Sequence, residues 1–440
     1  MQEKRFNQDF FQFLQGSSTP FHAVSFMAGK LRDSGFLQLS ETATCTLEPG
    51  GSYFITRDDG AIAAFTLAAS DNHDHNFRMV GAHTDSPSLQ LKPLTGKVTH
   101  SFYQLGVEVY GGPLLATWFD RDLSIAGRVV CTTKNGNLTT LLIDFKRPVA
   151  IIPSLAIHFD REANNGHAIN KQKELVPIFS QITEGDALNF SSILTEQINK
   201  EYPDTKVDTI LAFDLFCYDC QPPSFLGLGN EFITSSRLDN LLSCFVGYTA
   251  LIEAMNETKK DTNRLLICNN HEEIGSVTPA GAQGSFLHSI LERIMPDSIK
   301  RHRVLRESFF ISMDNAHGVH PNFSDKSDPE HLPLLNHGPV IKANANQRYA
   351  TTGVSSAIFK TIAAEAGVAT QNFVMRSDMA CGSTIGPHTA ASLGIPTVDV
   401  GAPTLAMHSI RETTGSRDPF LLYKTINRFL TRDRLPRVEG

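Results

Sequence analysis

The stretch NRLLICNNHEEIGS, residues 263–276, leads from an apolar segment directly into a pair of adjacent glutamates. Its apolar and partly β-branched start is typical of a buried strand. Successive side chains of a strand point to opposite faces, so Glu272 and Glu273 share one pocket only where the backbone turns. Gly275 permits such a turn. We therefore predict a buried strand that ends in a turn carrying two carboxylates, with a solvated strand end as the alternative.

Helical and strand patterns alternate around this stretch, from about residue 233 onward. The helix-like segments are DNLLSCFVGYTALIEAM, SSAIFKTIAAEAG and PFLLYKTINRFL, and the strand-like segments are RLLICNN, SFFISMDNA, QNFVMR and IPTVDVGA. Such alternation predicts an α/β domain with a mostly parallel sheet and helices on both of its faces.

Residues 93–232 have a different pattern. Segments such as TWFDRDLSIAGRVV alternate with period two, and Asn135-Gly136 is a strong hairpin signal. A loop-rich stretch with several prolines follows, up to CQPPSFLGLG. A chain of 440 residues is long enough for two domains. The simplest interpretation is an α/β domain, residues 1–92 and 233–440, interrupted by a β-rich insertion at residues 93–232.

Composition excludes several classes of protein. Hydrophobic residues make up 41% and charged residues 19% of the chain, as in an ordinary globular protein. A formal net charge of −7 argues against a general nucleic-acid binder. No run approaches the roughly 18 apolar residues of a membrane span. The N-terminus lacks the apolar core of a signal peptide, and the odd number of cysteines, seven, indicates reduced thiols. We therefore expect a cytoplasmic protein without membrane or nucleic-acid partners.

Five segments place residues that can bind metal close to the ends of predicted strands or at the head of a helix. They are VGAHTDSPS with His83 and Asp85, SSRLDNLLS with Asp239, NNHEEIGS with Glu272 and Glu273, FISMDNAHGVH with Asp314, His317 and His320, and VDVGAPTLAMHSIRE with His408 and Glu412. In open α/β sheets the functional crevice lies outside the carboxyl ends of the strands. We expect the four segments that follow strands to converge there, with Asp239 at the head of a helix as the fifth.

Each residue taken alone has a plainer explanation. Asp239 fits the N-cap of its helix, and His317 and His320 fit roles in packing or in supporting a ligand. The combined set is harder to explain without a metal. Two histidines and three carboxylates suit zinc and exceed what one tetrahedral ion needs, whereas two ions sharing a carboxylate would use all of them.

A metal site also explains the glutamate pair. A metal ion acidifies a bound water molecule, but a base beside it must still take the proton. One glutamate of the pair would therefore bind metal, and its neighbour would act as the base.

Six motifs resemble those of the aspartyl aminopeptidase family, a branch of the di-zinc aminopeptidases, in the same order over nearly the whole chain. They are GAHTDSPSLQLKP, SSRLDNLLSC, NNHEEIGS, MDNAHGVHP, KANANQRYATTG and MRSDMACGSTIGP. The resemblance implies two zinc ions per subunit, with Mn²⁺ or Co²⁺ able to replace zinc at one site. It also implies that the inserted domain drives dimerisation and that six dimers form a tetrahedral dodecamer.

The resemblance assigns a role to each residue of the site. It places His83 and Asp314 on one zinc, Glu273 and His408 on the other, and Asp239 between the two ions. Glu272 would be the general base, and Asp85 would orient His83 from outside the ligand set.

Four further positions match the family's substrate pocket. Asp219 would hold the free amino group of the peptide or shape its site. Lys342 and Tyr349 would meet the acidic side chain, and His158 would reach the active site of a neighbouring subunit. A solvated lysine and an ordinary interface histidine are the alternatives for Lys342 and His158.

These observations predict a metalloaminopeptidase that removes N-terminal Asp or Glu from peptides. One alternative keeps the chemistry but prefers neutral residues such as Leu. A second is a non-catalytic assembly or cargo-binding protein, against which the base at Glu272 argues. A phosphate-binding or nucleic-acid-binding protein would need a glycine-rich phosphate loop or a basic patch, and neither occurs in the sequence.

Overall fold

The computed structural model describes residues 2–69, 75–183, 188–256, 262–432 and 434–436. Nine α-helices lie within these ranges. They are α1 (Glu3–Gly16), α2 (Pro20–Asp33), α3 (Phe190–Glu201), α4 (Leu238–Met255), α5 (Phe286–Ile294), α6 (Ser298–Glu307), α7 (Gly353–Glu365), α8 (Ile385–Leu393) and α9 (Asp418–Thr431).

Twenty-two strands lie in the same described ranges. The first twelve are β1 (Leu37–Gln38), β2 (Ser52–Arg57), β3 (Ala61–Thr66), β4 (Phe77–His83), β5 (Ser88–Leu91), β6 (Lys97–Thr99), β7 (Phe102–Gln104), β8 (Val107–Tyr110), β9 (Leu123–Thr133), β10 (Leu138–Asp144), β11 (Ile178–Gln181) and β12 (Val207–Asp219). The others are β13 (Ser224–Leu226), β14 (Phe232–Ser235), β15 (Asn263–Asn269), β16 (Phe309–Met313), β17 (Ala316–His317), β18 (Val340–Ala343), β19 (Gln371–Val374), β20 (Thr397–Gly401), β21 (Pro403–Leu405) and β22 (Glu412–Gly415).

The chain divides into two compact units. The first comprises Met1–Asp85, Pro223–Met407 and Glu412–Gly440, and the second comprises Ser86–Pro222 and His408–Arg411. The second unit therefore begins seven residues before the predicted insertion at residue 93 and ends before residue 232. It also takes in a short segment, His408–Arg411, that lies far away in sequence.

A nine-stranded sheet forms the centre of the first unit. Its strand order is β1-β2-β3-β15-β4-β16-β20-β18-β19. Five neighbouring pairs are parallel and three are antiparallel. The predicted mostly parallel α/β sheet is therefore confirmed.

Helices cover both faces of this sheet. Along β15, Leu265 and Ile267 join one hydrophobic core, whereas Leu266 and Cys268 join another. Residues of α1, α2, α4, α7 and α9 complete the second core, and residues of α5, α6 and α8 complete the first. Adjacent strand residues point to opposite faces, so the two cores lie on opposite sides of the sheet. A continuous apolar strand such as β15 is typical of a sheet buried on both faces.

The second unit is rich in β-structure, and Asn135-Gly136 lies in the predicted hairpin between β9 and β10. The stretch predicted to be mainly loop was interpreted incorrectly, because it contains α3 and the 13-residue strand β12. Phe190, Leu194 and Ile198 of α3 are buried at helical spacing, and the side chain of Asn189 caps its first turn. That spacing is a sequence signal that the prolines and polar residues around it obscured.

Two further expectations bear on the environment of the protein. In the part of the chain that the structure describes, no helix is long and apolar enough to cross a membrane. All seven cysteines lie in the described ranges, and none of them forms a disulfide. The reduced state of the thiols stays a prediction from the sequence.

Candidate metal centre

Three neighbouring parallel strands bring the predicted site residues together. In the central sheet β4 lies between β15 and β16, and all three run in the same direction. His83 ends β4, the glutamate pair follows β15, and Asp314 follows β16. The carboxyl ends of parallel strands meet at one edge of a sheet, where α/β proteins place their functional groups.

The backbone turns at the glutamate pair as predicted. Residues Glu272–Ile274 form one turn of 3₁₀ helix, and Gly275 follows with φ of +99°. His271 precedes the turn with φ of +63°, in the left-handed region that is uncommon for residues other than glycine. The turn takes both glutamates out of the alternating pattern of a strand, so the two carboxylates no longer point to opposite faces.

Asp85 connects this turn to His83. Its two carboxylate oxygens accept the backbone N–H groups of Glu272 and Glu273, each at 3.1 Å. Its backbone carbonyl accepts the Nδ1–H of His83 at 3.1 Å, and its carboxylate Oδ1 lies 3.5 Å from the same Nδ1. Donation from Nδ1 leaves Nε2 as the ligating nitrogen of His83. Asp85 therefore contacts both His83 and the glutamate turn.

Carboxylates from three other segments surround Nε2 of His83. It lies 3.3 Å from Asp239 Oδ1, 3.5 Å from Asp314 Oδ1 and 3.9 Å from Glu272 Oε2. One ligand atom each from His83, Asp239 and Glu273 lies within 4.8 Å of the others. Four of the five segments, those of His83, Asp239, the glutamate pair and Asp314, therefore come together in the first unit.

The spacing of these atoms fits zinc. Nitrogen and oxygen ligands lie 2.0–2.2 Å from a tetrahedral zinc ion, so two such ligands are about 3.3–3.6 Å apart. The separations of His83 Nε2 from Asp239 and Asp314 fall in this range. The donors are imidazole and carboxylate groups, which suit zinc. The residues present therefore fit the metal that the sequence predicts.

Burial and crowding perturb the ionisation of this cluster. Burial raises the pKa of Glu272 to about 8, against the opposing influence of His83. Burial and the charge of Asp239 raise the pKa of Glu273 well above its usual range. For His83, burial lowers the pKa, but contacts with Asp239, Asp314 and Asp85 outweigh it and raise the pKa overall. Crowded, buried acids favour the binding of a cation.

Asp239 lies at a kink near the start of α4. Helix α4 begins at Leu238, with Arg237 in the N-cap position, and Asp239 has non-helical backbone angles. The backbone N–H of Asp239 donates to Glu412 Oε2 at 2.9 Å. The carboxylate Oδ1 of Asp239 lies 3.3 Å from Nε2 of His83, so the side chain is part of the cluster around that histidine.

Three buried residues form hydrogen bonds around the centre, and only Glu412 among them was named from the sequence, as a residue able to bind metal. Glu412 accepts the N–H of Asp239, and Asn240 donates through Nδ2 to the carbonyl of Met313 at 2.8 Å. Cys244 Sγ donates to the carbonyl of His83 at 3.0 Å. These bonds connect α4 to the ends of β16 and β4. No local sequence signal identifies Cys244, whose partner lies 161 residues away.

His317 and His320, the two histidines of FISMDNAHGVH, make aromatic contacts. The ring of His317 packs edge-on against Phe373 at 5.6 Å, and the ring of His320 lies 4.9 Å from Phe323. Neither histidine belongs to the ligand group identified among the described residues. Both contacts fit the packing role that the sequence suggested for these histidines.

Lys342 and Tyr349 are buried beside Asp314. Lys342 is 2% exposed, and its Nζ lies 3.2 Å from Asp314 Oδ2 and 3.2 Å from the carbonyl of Asn315. Nζ also lies 5.2 Å from the ring centroid of Tyr349. Lys342 is therefore not the solvated loop lysine that was the alternative.

The other predicted site residues lie in the second unit. His408 donates its Nδ1–H to the carbonyl of Gly112 at 3.0 Å, so Nε2 carries the ring's lone pair. Asp219 forms an ion pair with Arg121 and accepts the N–H of Gln221 at 3.0 Å. His158 is exposed in a segment whose Phe159 is 81% exposed.

Comparison with known proteins identifies the family. The sequence profile described as aminopeptidase I zinc metalloprotease (M18) matches residues 13–430. The chain belongs to the M18 family. This M18 chain is therefore an aminopeptidase and a metallo-hydrolase, and the non-catalytic alternative is not supported.

Relatives and solved structures agree with this assignment. The M18 chain is 49% identical to a probable M18 family aminopeptidase 2 of Stutzerimonas stutzeri, over 98% of this chain and 99% of the relative. It is similar to a chain in the structure of an Ape4–Nbr1 complex, with TM-score 0.94, 37% identity, and coverage of 98% and 86%. It is also similar to the mApe1 dodecamer of S. cerevisiae, with TM-score 0.85, 29% identity, and coverage of 98% and 97%.

Proposed function

We propose that this M18 aminopeptidase removes N-terminal Asp or Glu from peptides, with Glu272 as the general base. One observation supports this mechanism above all: only one of the two adjacent glutamates lies in the group of candidate metal ligands. Glu273 belongs to the ligand group with His83 and Asp239, whereas Glu272 Oε2 lies 3.9 Å from His83 Nε2. The pair thus supplies one ligand and one carboxylate beside it.

The motif resemblance supports a two-ion assignment. His83 and Asp314 would hold one zinc ion, Glu273 and His408 the other, and Asp239 both. Mn²⁺ or Co²⁺ would be able to replace zinc at one of these sites. Bound zinc would acidify the attacking water and polarise the scissile carbonyl.

The residues of the chain would move the proton. Glu272 takes the proton from the attacking water and returns it to the leaving amine. This role requires a carboxylate that is not itself a metal ligand. Asp85 holds the backbone of this carboxylate in place through the N–H of Glu272. The same residue fixes the ring of His83 through its own carbonyl.

The acidic preference rests on the residues that match the family's substrate pocket. Lys342 and Tyr349 would meet the acidic side chain, and Asp219 would hold or shape the site of the amino group. The preference for neutral residues such as Leu remains the second candidate, and one observation favours it. The charge of Lys342 is already paired with Asp314, and that of Asp219 with Arg121.

We also infer a homododecamer assembled from dimers. The similar S. cerevisiae protein is a dodecamer, and His158 lies in an exposed segment that a neighbouring subunit would cover. The inserted domain would form the dimer contact, and His158 would reach the neighbour's active site. We expect a cytoplasmic location, which the absence of disulfides among the seven cysteines supports.

A substrate panel tests the proposed function. Purified protein is assayed on matched dipeptides with N-terminal Asp, Glu, Leu or Ala, before and after a chelator and after zinc is restored. We expect the highest kcat/KM for Asp and Glu, loss of turnover with chelator and recovery with zinc. A higher kcat/KM for Leu would establish the second candidate, and chelator-resistant turnover would overturn the metal mechanism.

A further inference from the structure

Lys342 is a buried cation within the central sheet. It lies in β18, and its side chain is 3% exposed. A buried ammonium group loses its hydration, so it requires hydrogen-bonding partners of opposite charge nearby. The partners of Lys342 therefore indicate its role.

The ammonium group of Lys342 has two hydrogen-bond partners among the residues that the structure describes. Its three N–H donors meet Asp314 Oδ2 and the carbonyl of Asn315, both at 3.2 Å, and Nζ also faces the ring of Tyr349. These contacts place Lys342 against Asp314 and the residue that follows it. At most one donor remains for a substrate.

A second carboxylate near Lys342 already has other donors. Asp399 lies opposite Lys342 in the pairing of β18 with β20 and is completely buried. Its oxygens accept the N–H of Ala350 at 2.6 Å and the hydroxyl of Thr384 at 2.7 Å. Asp399 is therefore fixed by other bonds, and the short ionic contact of Lys342 is with Asp314.

The two oxygens of Asp314 face different groups. Oδ1 lies 3.5 Å from His83 Nε2, and Oδ2 lies 3.2 Å from Lys342 Nζ. A carboxylate held at one oxygen loses the freedom to rotate, so its other oxygen stays directed at the His83 cluster. Groups that hold a ligand in this way commonly change metal affinity when they are mutated.

We propose that Lys342 is a positioning residue that holds Asp314 in its metal-binding orientation. The inference rests on the proposed metal centre and gives Lys342 a role that does not depend on the substrate's side chain. It predicts that removal of the lysine weakens metal binding and so lowers turnover of neutral as well as acidic substrates. If Lys342 only bound the side chain of the substrate, its removal would leave metal binding unchanged.

The test measures zinc affinity and substrate preference together. Metal-free wild type and Lys342→Met are titrated with zinc against a competing chromophoric chelator, and kcat/KM is measured for Asp and Leu dipeptides at limiting and excess zinc. We expect Lys342→Met to weaken one zinc-binding step about 10–100-fold and the other much less. At limiting zinc, kcat/KM should fall for both substrates, and excess zinc should restore it for the Leu dipeptide, whose side chain makes no ion pair with the lysine.

Two further variants keep the test decisive. Lys342→Arg retains the charge and should lose less zinc affinity than Lys342→Met, and it provides the measurement if Lys342→Met does not fold. Lys360→Met makes the same change at an exposed lysine and should match wild type.

The outcomes separate this inference from the proposed function. Unchanged zinc affinity in Lys342→Met or Lys342→Arg, with a loss confined to Asp substrates, would overturn the positioning role and leave the metal centre intact. A wild type that binds no zinc would overturn the metal centre itself, and the positioning role with it.

Discussion

The carboxylate of Asp85 accepts the backbone N–H of Glu272 at 3.1 Å. Its second oxygen accepts the next N–H of the turn at the same distance, so one side chain holds the backbone of both glutamates. The motif resemblance implied only that Asp85 orients His83. In the structure the backbone carbonyl of Asp85 lies closer to His83 Nδ1 than its carboxylate does. The carboxylate instead accepts hydrogen bonds from the glutamate turn.

We therefore predict that Asp85→Asn lowers turnover by about 10–100-fold without unfolding the protein. The amide presents an N–H₂ group to one of the two backbone donors, which leaves that donor unsatisfied at a cost of about 1–3 kcal/mol. kcat and the melting temperature measure the effect, with Asp33→Asn as a control at an exposed position. Turnover equal to that of the control variant would show that the turn does not depend on this carboxylate.

Glu272→Gln should abolish most turnover while both zinc ions stay bound. The amide keeps the shape of the side chain but cannot take a proton, and loss of a general base typically costs about 10²–10⁴-fold in rate. Single-turnover assays and elemental analysis of the same sample measure the two properties. Near-normal turnover in a zinc-replete sample would refute the assignment of Glu272 as the base.

Glu273→Gln should instead lower the zinc content. Glu273 belongs to the ligand group with His83 and Asp239, and an amide oxygen is a weaker ligand than a carboxylate. Elemental analysis after dialysis against limiting zinc measures the change, with Glu272→Gln as the matched control one residue away. Two bound ions in Glu273→Gln would exclude Glu273 as a ligand.

Asp239→Ala should lose at least one zinc ion and nearly all turnover. A carboxylate shared by two dications also reduces the repulsion between them, so its loss affects both sites. Zinc content and kcat are compared with those of Glu273→Gln, which we expect to retain more metal. If Asp239→Ala kept the zinc content and turnover of the wild type, Asp239 would have only a structural role.

Local sequence patterns determined much of what the structure contains. The apolar run of β15 indicated a strand buried on both faces, and Gly275 indicated the turn that brings the glutamates together. Asn135-Gly136 indicated its hairpin. In each case neighbouring residues carry the information, because strand burial and turn conformation depend on the residues themselves. Helix α3 was missed although its spacing was present, since the polar stretch around it suggested loop.

Contacts between distant residues were decided only by the tertiary structure. The motif resemblance identified Asp314 and Lys342 separately, but it did not show that the lysine pairs with the aspartate 28 residues away. Asp85 and the glutamate turn are 187 residues apart in the chain, and Cys244 contacts His83 across 161 residues. Asp85 meets the glutamate turn because the sheet places the ends of β4 and β15 side by side, Lys342 reaches Asp314 from β18 in the same sheet, and Cys244 reaches His83 from α4. The strand order, and not any local pattern, determines which buried groups meet.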